Sequence, residues 1–287
     1  MSAVAALAPA PDDAPAARHR ALLHERYREA LSHPPAGWNE TLDTLLSHRS
    51  VRTYLPDPLP PGTIETLVAA AQSAPTSSNL QPWSVVAVED PARKARLAAL
   101  AGNQKHIVQA PLLLLWLVDL HRLEGLGHAQ SIPSKGLGYL ESFLLGAVDT
   151  SLAAQNAVVA LESLGLGSVY IGGIRNRPAE VAAELGLPPH VFALFGLVVG
   201  RPDPAAPASV KPRLPQKAVL FRERYGAPDA AGALPVYDRR LREFQREQGL
   251  PERDWTQQAA HRVQGAESLS GRDVLRSVLH GLGFGLK

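Results

Sequence analysis

Across residues 139–164 the chain carries Phe143, Leu144, Leu145, Val148, Leu152, Ala153, Val158, Val159 and Leu161, so one long helix is apolar on nearly every side. Such a helix has no face to offer water and belongs to a core or an interface. The longest unbroken apolar run, PLLLLWLV at 111–118, falls far short of the ~20 residues that cross a bilayer and reads as a buried strand. Further strand-like runs lie at 84–88, 168–174 and 192–199, each bounded by Gly, Pro or Asp. Apolar residues recurring at three and four predict helices at 21–31 and 39–46, the second with Asn39 or Thr41 as cap. After the breaker LPDPLPPG, residues 63–73 resume helix, with Ile64, Leu67, Val68 and Ala71 on one face. Residues 125–138 read as a loop able to move. Beyond Pro202 a Pro/Ala linker leads to a charged helix at 237–248 and a polar one from Trp255. These look too polar to form a core alone and are expected to lie along another subunit. Strands alternating with helices at unequal spacing give an α+β or mixed α/β domain.

Composition removes several chemistries. With no cysteine among 287 residues there is no disulfide scaffold, thiolate metal site, iron–sulfur cluster or cysteine nucleophile. The 29 Lys and Arg against 27 Asp and Glu leave a net charge of +2, no footprint for nucleic acid, and no basic helix interleaves the 6% aromatics. The ten histidines are scattered singly, so no metal is expected. Residues 1–18 are Ala/Pro-rich, with Asp12 and Asp13 and no basic residue before Arg18; they read as a disordered tail rather than a secretory signal. A soluble, cytoplasmic protein acting away from membranes is the expectation. Gly165-Leu166-Gly167 begins like a dinucleotide fingerprint but lacks the third glycine and follows a helix.

Anion chemistry is what remains. His48-Arg49-Ser50-Val51-Arg52 sets two guanidiniums, an imidazole and a hydroxyl within five residues, and Lys211-Pro212-Arg213 adds two cations on a stiff backbone. Arg forks with a Lys point charge suit a phosphate, although cations beside a helix C-terminus also answer its carbonyls. Thr76-Ser77-Ser78 heads a loop of hydroxyls and amides that is either a ligand loop or an ordinary helix-to-strand connection. Gln104 precedes the strand near 111, where a helix cap is the plain alternative. Tyr170-Ile171-Gly172-Gly173 ends a strand with two residues lacking Cβ, which admits a planar ligand against the backbone or simply a tight turn.

The stretches HRSVR (48–52), SSNLQ (77–81), NQKHIVQAP (103–111), LLGAVDTSLAAQNAVVALESLGLGSVYIGGIRN (144–176), LFGLVVGRP (194–202) and VKPRLP (210–215) fall in one order over roughly 48–225. In this they resemble the nitroreductase superfamily, most closely its NADPH nitroreductase and flavin reductase P branch. The resemblance implies an α+β fold with a central, mostly antiparallel sheet flanked by helices, an intertwined homodimer, and one FMN in each of two interface pockets. It divides the chain into an N-terminal extension (1–38), partly disordered, an FMN-binding core (39–225) and a C-terminal helical arm packed on the partner subunit (226–287). By position, His48, Arg49, Ser50, Arg52, Lys211 and Arg213 resemble ligands of the FMN phosphate and ribityl chain. Thr76, Ser77 and Ser78 fall in the family's hydroxyl segment, Gln104 on its ring-contacting glutamine, and Tyr170, Ile171, Gly172 and Gly173 on the backbone platform beside the flavin. Glu141 and Arg253 match substrate-side positions; Arg246, Arg253 and Arg262 are candidates for the NADPH 2′-phosphate. The implied activity is a ping-pong two-electron transfer from NADPH to nitroaromatics, quinones or similar acceptors, with the flavin carrying the hydride and no catalytic side chain. Two alternatives stand beside it: an FMN reductase supplying reduced flavin to a partner, and a non-catalytic flavin-binding sensor.

Overall fold

The structure, a computed structural model, describes residues 14–29, 31, 35–226 and 230–287. Residues 1–13, most of the expected tail, lie outside the described residues. In chain order the elements begin with α1 (Ala14–Tyr27), α2 (Glu40–Leu46), α3 (Thr63–Gln72), β1 (Trp83–Val88), α4 (Pro91–Leu100), α5 (Lys105–Gln109), β2 (Leu112–Asp119) and α6 (His121–Ala129). There follow α7 (Leu140–Ser163), β3 (Gly167–Ile171), α8 (Pro178–Leu185), β4 (Val191–Gly200), α9 (Ala230–Glu247), α10 (Trp255–Arg262) and α11 (Leu275–Gly281). They group into two units, one of residues up to Arg49 with Ser209–Val263, the other of Ser50–Ala208 with Gln264–Lys287.

The larger unit is built on a sheet of order β1-β2-β4-β3 in which every neighbouring pair is antiparallel. β2 is apolar on both faces because helices cover both. Leu113, Leu115 and Leu117 pack with Leu97 of α4 and Val181 of α8. Leu112, Leu114 and Trp116 pack with Leu67 of α3 and Ala153, Ala157 and Leu161 of α7. The strand's two-residue period thus sends alternate side chains to two cores, each fully buried leucine contributing about 1.5–3 kcal/mol. α7 lies close to the sheet through small residues; a Cβ on Gly146 would meet Val118 Cγ1 at 2.7 Å. Its outer side exposes Leu140, Leu144, Val148 and Leu152. The apolar character on all sides is therefore divided between sheet and surface.

Three expectations are corrected. The helix read at 21–31 is α1 at Ala14–Tyr27, so residues 14–18 of the expected tail are helical. The strand read at 168–174 stops at Ile171, and residues from Gly172 to Arg175 form a single 3-10 turn. Residues 125–138 are not a loop throughout: α6 continues to Ala129, and Lys135–Gly138 is another 3-10 turn. Gly127 permits this, because Ser134 and the Ile132 carbonyl occupy the space a Cβ would need, and the Ile132 N–H donates to the Gly127 carbonyl at 2.9 Å.

The smaller unit is helical. α9 is charged along most of its length, yet Ala233, Tyr237, Leu241 and Phe244 form a buried stripe at four- and three-residue spacing. From the end of α1, Arg28 lies over the Phe244 ring and pairs with Glu247 at 2.5 Å. Arg240 on α9 reaches back to Glu29 at 2.6 Å and to the Tyr27 carbonyl at 3.1 Å. From α10, Thr256 bonds Asp238 and Trp255 meets Tyr237 edge-on.

Candidate functional site

In the smaller unit the two basic segments meet at one residue. Arg26, in the last turn of α1, is 6% exposed, and its guanidinium donates to the carbonyls of Leu46 at 2.9 Å, His48 at 2.8 Å and Lys211 at 3.0 Å. Its own carbonyl accepts from the Arg213 N–H at 2.8 Å. The backbones of Leu46, His48 and Lys211 are thereby gathered around a single side chain, and that of Arg213 is fixed to the same residue's carbonyl. Tyr237 Oη donates to the Pro212 carbonyl at 3.0 Å, and burial raises its phenol pKa. Arg49 donates to the Ser47 carbonyl at 3.2 Å, and Arg213 to the Lys211 carbonyl at 3.2 Å. Carbonyls orient these guanidiniums without neutralising them, which suits an incoming anion.

In the larger unit Ser50 bridges to Ser168, and the Val51 N–H donates to the Ser168 carbonyl at 2.9 Å, so Ser50 and Arg52 run beside β3, an outer strand of the sheet. Tyr54 Oη closes this segment on the Val51 carbonyl, and burial pushes the Tyr54 phenol well up. Tyr170 lies at the other end of β3, edge-on to Phe195, its phenol also raised by burial. Ile171 beside it is buried. In the turn that follows, a Cβ on Gly173 would collide with the Ala101 carbonyl and lie 2.6 Å from Gln104 Nε2. Gln104 and Gly173 are thus adjacent, and the Gln104 amide is aimed by its hydrogen bond to the Ala101 carbonyl at 2.9 Å. Gly172 faces the guanidiniums of Arg175 and Arg272. Next along the chain, His106 Nε2 is buried with no hydrogen-bond partner among the described residues, and burial together with Arg52 lowers its pKa.

Asp149 of α7, 3% exposed, organises the hydroxyl loop, accepting from Thr76 Oγ1 at 2.5 Å and from the Ser77 N–H at 3.4 Å. Thr76 Oγ1 in turn accepts the Gln81 N–H at 3.0 Å. Thr76 therefore shapes the loop, while Ser77 and Ser78 sit at its turn. Glu141 is exposed in the first turn of α7, beside Leu140, whose N–H donates to the Lys287 carbonyl.

Of the basic residues near α10, Arg246 makes two hydrogen bonds to Glu252 at 3.0 and 2.9 Å. Arg253 has an exposed side chain, and its backbone N–H is fixed by Gln245 at 2.7 Å. Arg262 ends the helix. Among the described residues no group of three His, Cys, Asp or Glu is placed to hold a metal.

Arg26 and Asp149 escaped the sequence reading for different reasons. Arg26 acts on carbonyls, which every residue carries, so only the basic last turn of α1 hinted at it. Asp149 stood in plain view as an acid at the middle of an apolar helix, a signal that a buried carboxylate has fixed partners.

Comparison with known proteins places the chain in a family. The model of the nitroreductase family matches residues 45–201, and that of the nitroreductase family C-terminal domain matches residues 211–287. An FMN reductase (NADPH) of Bacillus subtilis is 39% identical over 230 residues, covering 77% of this chain and 90% of the relative. An oxygen-insensitive NADPH nitroreductase of Salmonella typhimurium is 42% identical over 204 residues, covering 71% of this chain and 82% of the relative. The structure of NADPH:FMN oxidoreductase from Vibrio harveyi complexed with NAD+ superposes with a TM-score of 0.76 at 33% identity, covering 87% of this chain and all of that one. On sequence and fold together, the chain belongs to the nitroreductase family.

Proposed function

We propose that this protein is an FMN-dependent NADPH oxidoreductase that passes two electrons to nitroaromatics, quinones or similar small acceptors in a ping-pong cycle. The observation that carries this reading is the gathering of the His48 and Lys211 to Arg213 segments around Arg26, with the Arg49 and Arg213 guanidiniums oriented by backbone carbonyls. The donor set fits FMN, a phosphate ester with a flat ring: cations for the phosphate, and a glycine turn at Gly172 and Gly173 too close to its neighbours to admit a Cβ at Gly173. His48, Arg49, Ser50, Arg52, Lys211 and Arg213 would hold the phosphate and ribityl chain. Ser77, Ser78, Gln104 and the stretch from Tyr170 to Gly173 would hold the ring, with Thr76 keeping the loop in shape. When bound, FMN supplies a two-electron hydride relay that no side chain of a cysteine-free protein provides. The protein's part is placement and electrostatics: Gln104 is fixed by Ala101, and the turn is closed by the Asn176 N–H on the Gly173 carbonyl. Arg246, Arg253 and Arg262 are the candidates for the NADPH 2′-phosphate, Arg246 being held by Glu252. Glu141 is assigned to the substrate side.

A homodimer is part of the proposal, supported by the apolar outer stripe of α7, with the C-terminal helices as the arm toward the partner. A cytoplasmic location follows from the need for NADPH and from Asp149 and Thr150 buried on the inner side of α7, as in a core helix. A second reading, reduction of free FMN for release to a partner, is favoured by the name of the Bacillus subtilis relative.

Anaerobic stopped-flow with NADPH and NADH, followed by nitro, quinone and free FMN acceptors, separates these readings. NADPH should bleach the flavin absorbance and an acceptor restore it; a flavin that NADPH leaves coloured marks a sensor. Arg52→Ala with Arg213→Ala should purify colourless, and a yellow, fully active double variant would overturn the site.

A further inference from the structure

We infer that Arg122, backed by Asp119 and Ser84, is a positioning residue that holds residues 76–83 in the shape in which they meet the flavin. The inference rests on the FMN reading above. This loop leaves ordinary backbone space three times in four residues: Ser78, Asn79 and Gln81 have φ of 49°, 54° and 50°. Side chains other than glycine stay in that left-handed region only where the surroundings hold them. Asp149 holds the start of the loop through Thr76 and Ser77. Its far end is held from α6. Arg122 Nη1 donates to the Gln81 carbonyl at 3.1 Å, and Nη2 donates to the Trp83 carbonyl at 3.2 Å and to Ser84 Oγ at 2.8 Å.

Asp119, the last residue of β2, aims this fork. It lies 3.3 Å from Nη2, accepts the Ser84 hydroxyl proton and the Arg122 N–H, and donates its own N–H to the Pro82 carbonyl at 3.0 Å. A planar guanidinium reaches two carbonyls and a hydroxyl at once, whereas the point charge of a lysine cannot span them all. Residues 81–84 are thus tied at successive positions to the junction of β2 and α6. The loop that carries Ser77 and Ser78 is thus held by Asp149 at its start and by Arg122 and Asp119 at its far end.

The test compares wild type, Arg122→Gln and Arg122→Lys, with Arg96→Gln, which breaks an exposed pair with Glu184, as control. Amide hydrogen exchange of the apo-protein reports the loop without flavin. Fluorescence titration reports FMN affinity, and spectroelectrochemistry the midpoint potential of the bound flavin. For Arg122→Gln, exchange should rise across 76–83 while β2 and α7 stay protected, FMN should bind about tenfold more weakly, as when an outer partner of a ligand is lost, and the potential should shift. Arg122→Lys should recover part of both, and Arg96→Gln should match wild type. Unchanged exchange, or faster exchange with unchanged FMN affinity and potential, overturns the inference. A wild-type protein that binds no FMN sinks the reading beneath it, and this inference with it.

Discussion

Arg26 shows how much one buried guanidinium can organise. Replacing it by Ala leaves the carbonyls of Leu46, His48 and Lys211 without their donor, a loss of about 2–4 kcal/mol if water cannot fully replace it. Urea unfolding of Arg26→Ala should register that loss, and FMN affinity should fall alongside it because the two basic segments lose their common anchor. A pH prediction belongs to His106. Burial, and then Arg52, hold its folded pKa below the ordinary 6.5, so on acidification the unfolded chain takes the proton first. Stability therefore rises with pH from the lowered folded value up to about 6.5 and falls as pH drops through that window. Urea midpoints of the apo-protein measured between about pH 5 and 7 should show a smaller acid decline in His106→Phe than in wild type. An identical decline in both would exclude His106 as a contributor.

At the level of elements, β1, β2 and β4 were legible within a residue or so, because apolar runs bounded by Gly, Pro or Asp have few other ways to fold. β3 ends early because Gly172 and Gly173 turn the chain where a hydrophobic count sees only more strand. α4, α5 and α8 were not read, although Asp90 accepts the Arg93 N–H and Pro91 opens α4, a start signal visible in the residues themselves. α6 was hidden by its two glycines, whose weak helix propensity is overridden by packing at Gly127. α7 and the loop at 76–81 act as one piece through Asp149. Asp149→Asn brings an amide NH2 toward the Thr76 hydroxyl and the Ser77 N–H, where at most one can still find an acceptor. Thermal melts should show a loss of about 1–3 kcal/mol, with faster hydrogen exchange confined to residues 76–81; a loss spread evenly over the sheet would refute the local role.

For the whole molecule, the outer stripe of α7 is the feature a single chain leaves unexplained. Leu144 and Val148 are exposed on a helix whose other side is packed, a pattern that asks for a partner surface. If the proposed homodimer uses this face, Leu144→Glu with Val148→Glu should yield a monomer in sedimentation velocity and lower bound flavin, whereas a mass equal to wild type would remove this face from the interface. The family was readable from residue order alone, since local periodicity fixes helix and strand and a motif keeps its identity wherever it lies. Folding alone decided which side chains organise those residues. Arg26, Asp149 and Arg122 act on backbone groups brought near by packing, and a backbone carbonyl or N–H looks the same at every position of a sequence.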